Sequence, residues 1–210
     1  MNIIVAGAGA IGGTVAVLLK EAGYDVSIMC HSAASKEIIE KEGFYLGGAK
    51  GDHYVKFDCY SSAEELGDKK FDIVIIATKY AHMAECAKTM LPFVAQDGLV
   101  VGMQNGLLTE ELGEIVGRDK VVGCMIGFGA TRNSVNNVTM TSKGEFYVGM
   151  LDGRKPKNLE VFAEMLRTVL PTEISIEIQR QQYSKLIINS CINAVAGITG
   201  KVLGEILQDV

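Results

Sequence analysis

The apolar positions of this chain come in short, nearly unbroken runs separated by stretches of helical spacing. "NIIVAG" near the start reads as a strand buried on both faces, and "AIGGTVAVLLKEAG" as a helix closed by Gly23. "DVSIMC" is the next strand. "FDIVIIAT" is a strong central strand, and a helix follows it from about Tyr80 to Met90. "GLVVGMQ" then predicts a strand and "LLTEELGEIVG" a helix. Strands that are apolar throughout, alternating with helices, predict a parallel sheet covered on both faces.

The pattern changes in the second half. "NNVTMTSKGEFYVGM" predicts a hairpin turning at Lys143-Gly144, and "PKNLEVFAEMLRTVL" an amphipathic helix entered through a proline. "TEISIEIQ" alternates Ile174, Ile176 and Ile178 with polar residues, which predicts a last, half-exposed strand. "YSKLIINSCINAVAG" is mostly apolar and reads as a helix meant for burial, continuing through Val210. Lys185, Asn189 and Asn193 recur in it at steps of four. At about 100° per residue such steps drift only about 40° each, so the three share one helix face. Polar groups on an inner face cost free energy unless they bind something.

Composition narrows the classes. With 48% hydrophobic residues among 210, the chain can bury a sizeable core, and 21% charged residues do not suggest disorder. A net charge of -5, with no cluster of Lys and Arg, argues against nucleic acid as a general partner. "MNIIVAGAGA" has no basic segment before its apolar run, so it reads as a strand and not a signal peptide. Apolar runs are too short to span a bilayer, so no membrane is expected. The five cysteines (30, 59, 86, 124 and 191) make no CxxC pair and suit reduced thiols in a cytoplasm. His31, His53 and His82 offer no ligand spacing, and no metal is expected.

The clearest chemistry is in "GAGAIG", residues Gly7, Ala8, Gly9, Ala10, Ile11 and Gly12, set between the first strand and first helix. Gly7 permits a tight turn, Gly9 lets a pyrophosphate approach the backbone, and Gly12 lets the helix pack on the strand. The helix N-terminus adds free N–H groups and a positive dipole end. An NAD site usually carries Asp or Glu at the end of the second strand. Here "IMCHSAASK" has none, and His31, Ser32, Ser35 and Lys36 could receive a 2′-phosphate, so NADP is the expected cofactor. The alternative for those residues is a solvated loop. "IIATKY" sets Lys79, and "GMQNG" sets Asn105, just past strands, on the edge where ligands of open α/β sheets gather. The fold expected is therefore α/β, a Rossmann-type doubly wound, mostly parallel sheet over residues 1–178. Residues 179–210 would begin an all-helical C-terminal domain.

With "GAGAIGG", "ATKY", "QNG" and "KLIINSCIN" in hand, the sequence resembles the ketopantoate reductase (2-dehydropantoate 2-reductase) family over essentially its whole length. The resemblance implies NADPH-dependent reduction of 2-dehydropantoate to pantoate, on the route to pantothenate and coenzyme A. It makes Lys185 the catalytic lysine and Asn189 and Asn193 substrate-binding residues. Lys79 and Asn105 would line the cleft between cofactor and the small 2-oxo acid substrate, with Asn105 touching both. A lysine beside a ketone can polarise it and protonate the alkoxide that hydride transfer leaves. The family commonly has arginine where His31 stands. Family members are also longer, with a further serine and an acidic residue in a helical domain of which this chain holds about two helices. The chain is accordingly expected to bind dinucleotide and to turn over substrate poorly. Association as a homodimer stays open, and so do two other functions. One is a related reductase or opine-type dehydrogenase of another 2-oxo acid; the other is a non-catalytic module that senses a dinucleotide.

Overall fold

In a computed structural model, which describes residues 1–206 and 208, the chain starts with strand β1 (Asn2–Ala6), helix α1 (Ala10–Glu21) and strand β2 (Asp25–Met29). Helix α2 (Ala33–Glu42) and three short strands follow, β3 (Phe44–Gly48), β4 (His53–Val55) and β5 (Asp58–Tyr60). Next come β6 (Phe71–Ile76), α3 (Tyr80–Met90), β7 (Val94–Gly102), α4 (Thr109–Val116) and β8 (Val121–Ile126). The remainder is β9 (Gly129–Ser134), β10 (Asn137–Ser142), β11 (Phe146–Met150), α5 (Lys157–Arg167), β12 (Thr172–Ile174), α6 (Ile178–Thr199) and α7 (Leu203–Ile206).

The main sheet has eight strands in the order β12-β11-β8-β7-β6-β1-β2-β5. Its neighbours run parallel except β8 and β11. Alternation along β1 explains the two cores. Ile3 and Val5 join α1 and α5 on one face, while Ile4 and Ala6 join α3 and α4 on the other. All four are essentially inaccessible to water, which is why these strands are apolar at every position.

A second, four-stranded sheet, β4-β3-β10-β9, lies on the outer side of α1. Helix α1 is thereby covered from two sides, and residues Gly12 to Leu19 are buried in an unbroken run. The fit is close: a Cβ on Gly13 would stand 2.6 Å from the Phe44 ring. A helix that is apolar all round carries this signal in its sequence.

Several sequence expectations change. The hairpin does not turn at Lys143-Gly144. The reversal is at Val135 and Asn136, between the antiparallel strands β9 and β10. At Lys143-Gly144 the same ribbon crosses from the small sheet to the main one, where β11 pairs antiparallel with β8. Gly127 and Gly144 make the crossing: a Cβ on Gly144 would lie 2.3 Å from the Gly127 carbonyl oxygen, and the Gly127 N–H donates to Glu145 at 2.7 Å. A glycine at such a bend lets two backbones meet.

The expected last strand is cut to Thr172–Ile174, leaving Ile176 62% exposed and turning Ile178 into α6. "SAASK" opens helix α2 and is not a loop. Helix α6 ends at Thr199 with Gly200 in the left-handed region, so it does not run on; the expected continuation over 207 and 209–210 lies outside the described residues. Nor is α6 buried: only Ile178 and Gln182 are, while Ile187 and Ile188 are exposed. Among the described residues no helix is long and apolar enough to cross a membrane.

Candidate active site

The carboxyl ends of β1, β6, β7 and β8 share one edge of the main sheet. Chain order reverses about β1, since β2 lies on one side of it and β6 on the other. Open α/β sheets bind ligands at such a switch point.

The glycine loop, residues 7–12, occupies it. Gly7 has φ +103°, and a Cβ there would stand 2.9 Å from the Ala77 carbonyl and the Thr78 nitrogen. Its N–H donates to the Met29 carbonyl at 3.2 Å, tying the loop to the end of β2. A Cβ on Gly12 would fall 2.1 Å from the Gly7 oxygen. Gly9 differs: a Cβ there would meet no protein atom within 4 Å. The fold itself therefore demands Gly7 and Gly12, whereas the space over Gly9 is open for something else. Gly9 also caps α1 without any side-chain bond, and the first turn of α1 carries no acid. Ala10 and Ile11 begin that turn, with Ala8 and Ile11 packed against the core. Uncapped N–H groups, a positive helix end and bare backbone fit a dinucleotide's pyrophosphate.

At the end of β2, Ser32 caps α2 by accepting the Ser35 N–H at 3.2 Å. The Ser35 hydroxyl lies 3.0 Å from that of Ser32 and 3.1 Å from His31 Nδ1. His31 and Ser32 thus stand together beside a helix N-terminus, with no carboxylate in this stretch of sequence. Lys36 is otherwise engaged. Its ammonium is 3.0 Å from Glu65, whose hydrogen bond raises the lysine's pKa. No sequence signal links two residues so far apart in the chain.

Lys79 caps the N-terminus of α3 just past β6, and Asn105 follows β7; both are exposed. The residues before them, Thr78 and Gln104, hold buried polar atoms, Oγ1 and Nε2, that have no partner in the protein.

Helix α6 is fixed at its first turns. Ile178 fits where β8 and β11 carry no side chains: Cβ atoms on Gly123 and Gly149 would lie 3.0 Å from it. The buried Gln182 amide donates to the Thr109 hydroxyl at 2.8 Å, and Gln179 donates to Glu110 at 2.8 Å. Ile178, Gln182 and Lys185 are spaced on one helical stripe. The stripe brings Lys185 Nζ onto the Ile126 carbonyl at the end of β8. The lysine is half-buried, and burial lowers its pKa; nearby Cys124 opposes this weakly. Burial pushes the Cys124 thiol itself up to about 12. Farther along α6, Asn189 is half-buried and Asn193 exposed. The sequence pattern found Lys185 but not its two anchors. Gln182 sits on the same stripe and was within reach of that reasoning; the Ile126 carbonyl, a backbone group, was not.

This combination of a doubly wound sheet and a glycine loop at its switch point defines a Rossmann-type fold, with helix α6 packed at the same sheet edge. A sequence model of the ketopantoate reductase PanE/ApbA family matches residues 3–153, and the chain belongs to that family. It is 30% identical over 209 residues to the 2-dehydropantoate 2-reductase of Archaeoglobus fulgidus, covering 99% of this chain and 67% of that one. The crystal structure of 2-dehydropantoate 2-reductase from Geobacter metallireducens superposes with TM-score 0.87 at 22% identity, covering 96% of this chain and 66% of that one. A D-mandelate dehydrogenase, solved with NADH and anilino(oxo)acetate, gives TM-score 0.85 at 20% identity, over 95% and 65% of the two chains. At those identities the two structures speak for the fold alone.

Proposed function

We propose that this chain serves the NADPH-dependent reduction of 2-dehydropantoate to pantoate, the step that leads in the cytoplasm toward pantothenate and coenzyme A. In this reading residues 1–178 form the dinucleotide domain and 179–210 belong to the substrate domain. What carries the reading is Lys185, held at the end of β8 on the sheet edge that also bears the open phosphate loop. The family and the Archaeoglobus relative support the substrate.

The bound dinucleotide would supply the hydride. Gly7 to Gly12 and the free N–H groups of α1 would hold its pyrophosphate, with Lys79 and Asn105 flanking it on the neighbouring strand ends. His31 and Ser32 would face the 2′-phosphate. The Lys185 ammonium would draw in the anionic 2-oxo acid, polarise its carbonyl oxygen and give that oxygen a proton. Asn189, Asn193 and Asn105 would hydrogen-bond the substrate's carboxylate and hydroxyl. Burial favours this chemistry, because an ammonium with a lowered pKa gives up its proton more readily.

NADPH oxidation followed with 2-dehydropantoate and a panel of other 2-oxo acids tests the proposal. The highest kcat/KM is expected with 2-dehydropantoate. A higher value with another 2-oxo acid would make this a related reductase, and tight dinucleotide binding with no turnover of any acid, even in a chain extended to its relatives' length, would make it a sensing module.

A further inference from the structure

Among the described residues, the buried side-chain polar atoms without a hydrogen-bond partner are Thr78 Oγ1 and Gln104 Nε2. They belong to different loops, yet both loops end at one place. Strands β6 and β7 run parallel with Ile76 opposite Gly102, so Thr78 and Gln104 each lie two residues past the last pair. Thr78 also abuts the glycine loop, since a Cβ on Gly7 would stand 2.9 Å from its nitrogen. The Gln104 amide folds back over bare backbone: a Cβ on Gly102 would lie 3.3 Å from its Oε1. A buried polar group without a partner costs stability that an apolar group of the same shape does not. Here that cost is concentrated on the sheet edge beside the glycine loop. The strand order assigns that edge to one half of a dinucleotide. With the pyrophosphate on the loop after β1 and one half over β2, where His31 and Ser32 stand, the other half lies over β6 and β7.

We propose that Thr78 and Gln104 are ligands of the nicotinamide riboside half of the dinucleotide, left unbonded by the fold and turned onto that half as it binds. This rests on the dinucleotide reading given above. Both atoms are shielded from solvent, so each side chain rotates to meet the ligand. The Gln104 amide nitrogen only donates, which suits the carboxamide oxygen or a ribose hydroxyl. The Thr78 hydroxyl donates and accepts, and so can take the carboxamide N–H. Gly106, at φ +101° with nothing within 4 Å of a Cβ, gives the loop after Gln104 room to adjust. Binding then removes the cost of two unpaired groups, so these bonds add more affinity than bonds made by groups already satisfied in the fold.

Gln104→Met and Thr78→Val keep most of each side chain's shape and remove its polar atom. Calorimetric titration with NADPH, and with 2′-phospho-ADP-ribose, which lacks the nicotinamide, reads the contact. Each variant should bind NADPH about five- to tenfold more weakly, the loss of one hydrogen bond. Affinity for 2′-phospho-ADP-ribose should not change. Thermal melts without nucleotide read the other side of the proposal: Tm should rise in both variants, by about 2–4 °C for Gln104→Met. Unchanged NADPH affinity in both variants would overturn the proposal. Equal weakening of the two nucleotides would overturn the assignment to the nicotinamide half. A fall in Tm, or a variant that does not fold, would mean that the group is already bonded within the protein, and would overturn it too. Failure of the unsubstituted chain to bind either nucleotide is a separate result, which would overturn the dinucleotide reading and this proposal with it.

Discussion

Gly9 and Gly12 lie three residues apart in one motif, yet they should fail differently. Gly12→Ala drives a Cβ to 2.1 Å from the Gly7 oxygen, so it should destabilise the fold itself and lower Tm. Gly9→Ala meets nothing, so stability should stay within about 0.5 kcal/mol while dinucleotide affinity falls. Thermal melts beside NADPH titrations check the pair, and unchanged NADPH affinity in Gly9→Ala would remove Gly9 from the ligand site. Lys185→Ala should lower kcat by about 100- to 10,000-fold with NADPH affinity nearly unchanged. The pH profile follows from the same residue. Its ammonium must be present to donate the proton, so activity should hold below the folded pKa and fall as pH rises through it. Burial sets that fall below the ordinary lysine value of 10.5. A basic limb centred at or above it would separate Lys185 from the proton transfer. At this scale the sequence was informative on the glycine turn, where Gly7 and Gly12 leave no room for a Cβ. It was silent on Glu65, whose hold on Lys36 only folding creates. Glu65→Gln should free Lys36 and strengthen NADPH binding relative to NADH, measurable by the same titration.

Among the elements, α6 carries the greatest consequence for the site. Its first turns are held by Ile178 on the Gly123–Gly149 platform and by Gln182 on Thr109, and Lys185 depends on both. Ile178→Ala removes buried methyl groups and should cost about 2–5 kcal/mol. Gln182→Ala leaves the Thr109 hydroxyl without its partner, a loss of about 1–3 kcal/mol. Either change should lower kcat more than it alters NADPH affinity, because a group misplaced by about 1 Å can lose about 100-fold. Denaturant melts with steady-state kinetics measure both effects. The limits of the strong elements were readable, and Tyr80–Met90 forms the helix its pattern predicts. Short elements were not. Strands β3, β4 and β5 are too brief for periodicity to register, and the Lys143-Gly144 turn signal marks a crossing between sheets.

For the molecule as a whole, a ligand that binds only the folded state stabilises it by mass action. NADPH at 100 times its Kd should add about 2.7 kcal/mol, seen as a rise in Tm that grows with concentration. No shift at saturating nucleotide would remove the dinucleotide from the account. The sequence by itself determined the layers of this protein: apolar strands require cover on both faces, and local helical spacing supplies that cover. It also determined the glycine turn, because the three glycines, the strand before them and the helix after them are contiguous. Only the tertiary structure decided that α1 is sandwiched by a second sheet, since β3 and β10 lie far apart in the chain and pair in parallel. It likewise decided that Lys185 meets the Ile126 carbonyl and that Lys36 is claimed by Glu65. Periodicity reports which side of an element avoids water. It does not report which distant group the chain will bring there, because that depends on how the packed layers close on one another.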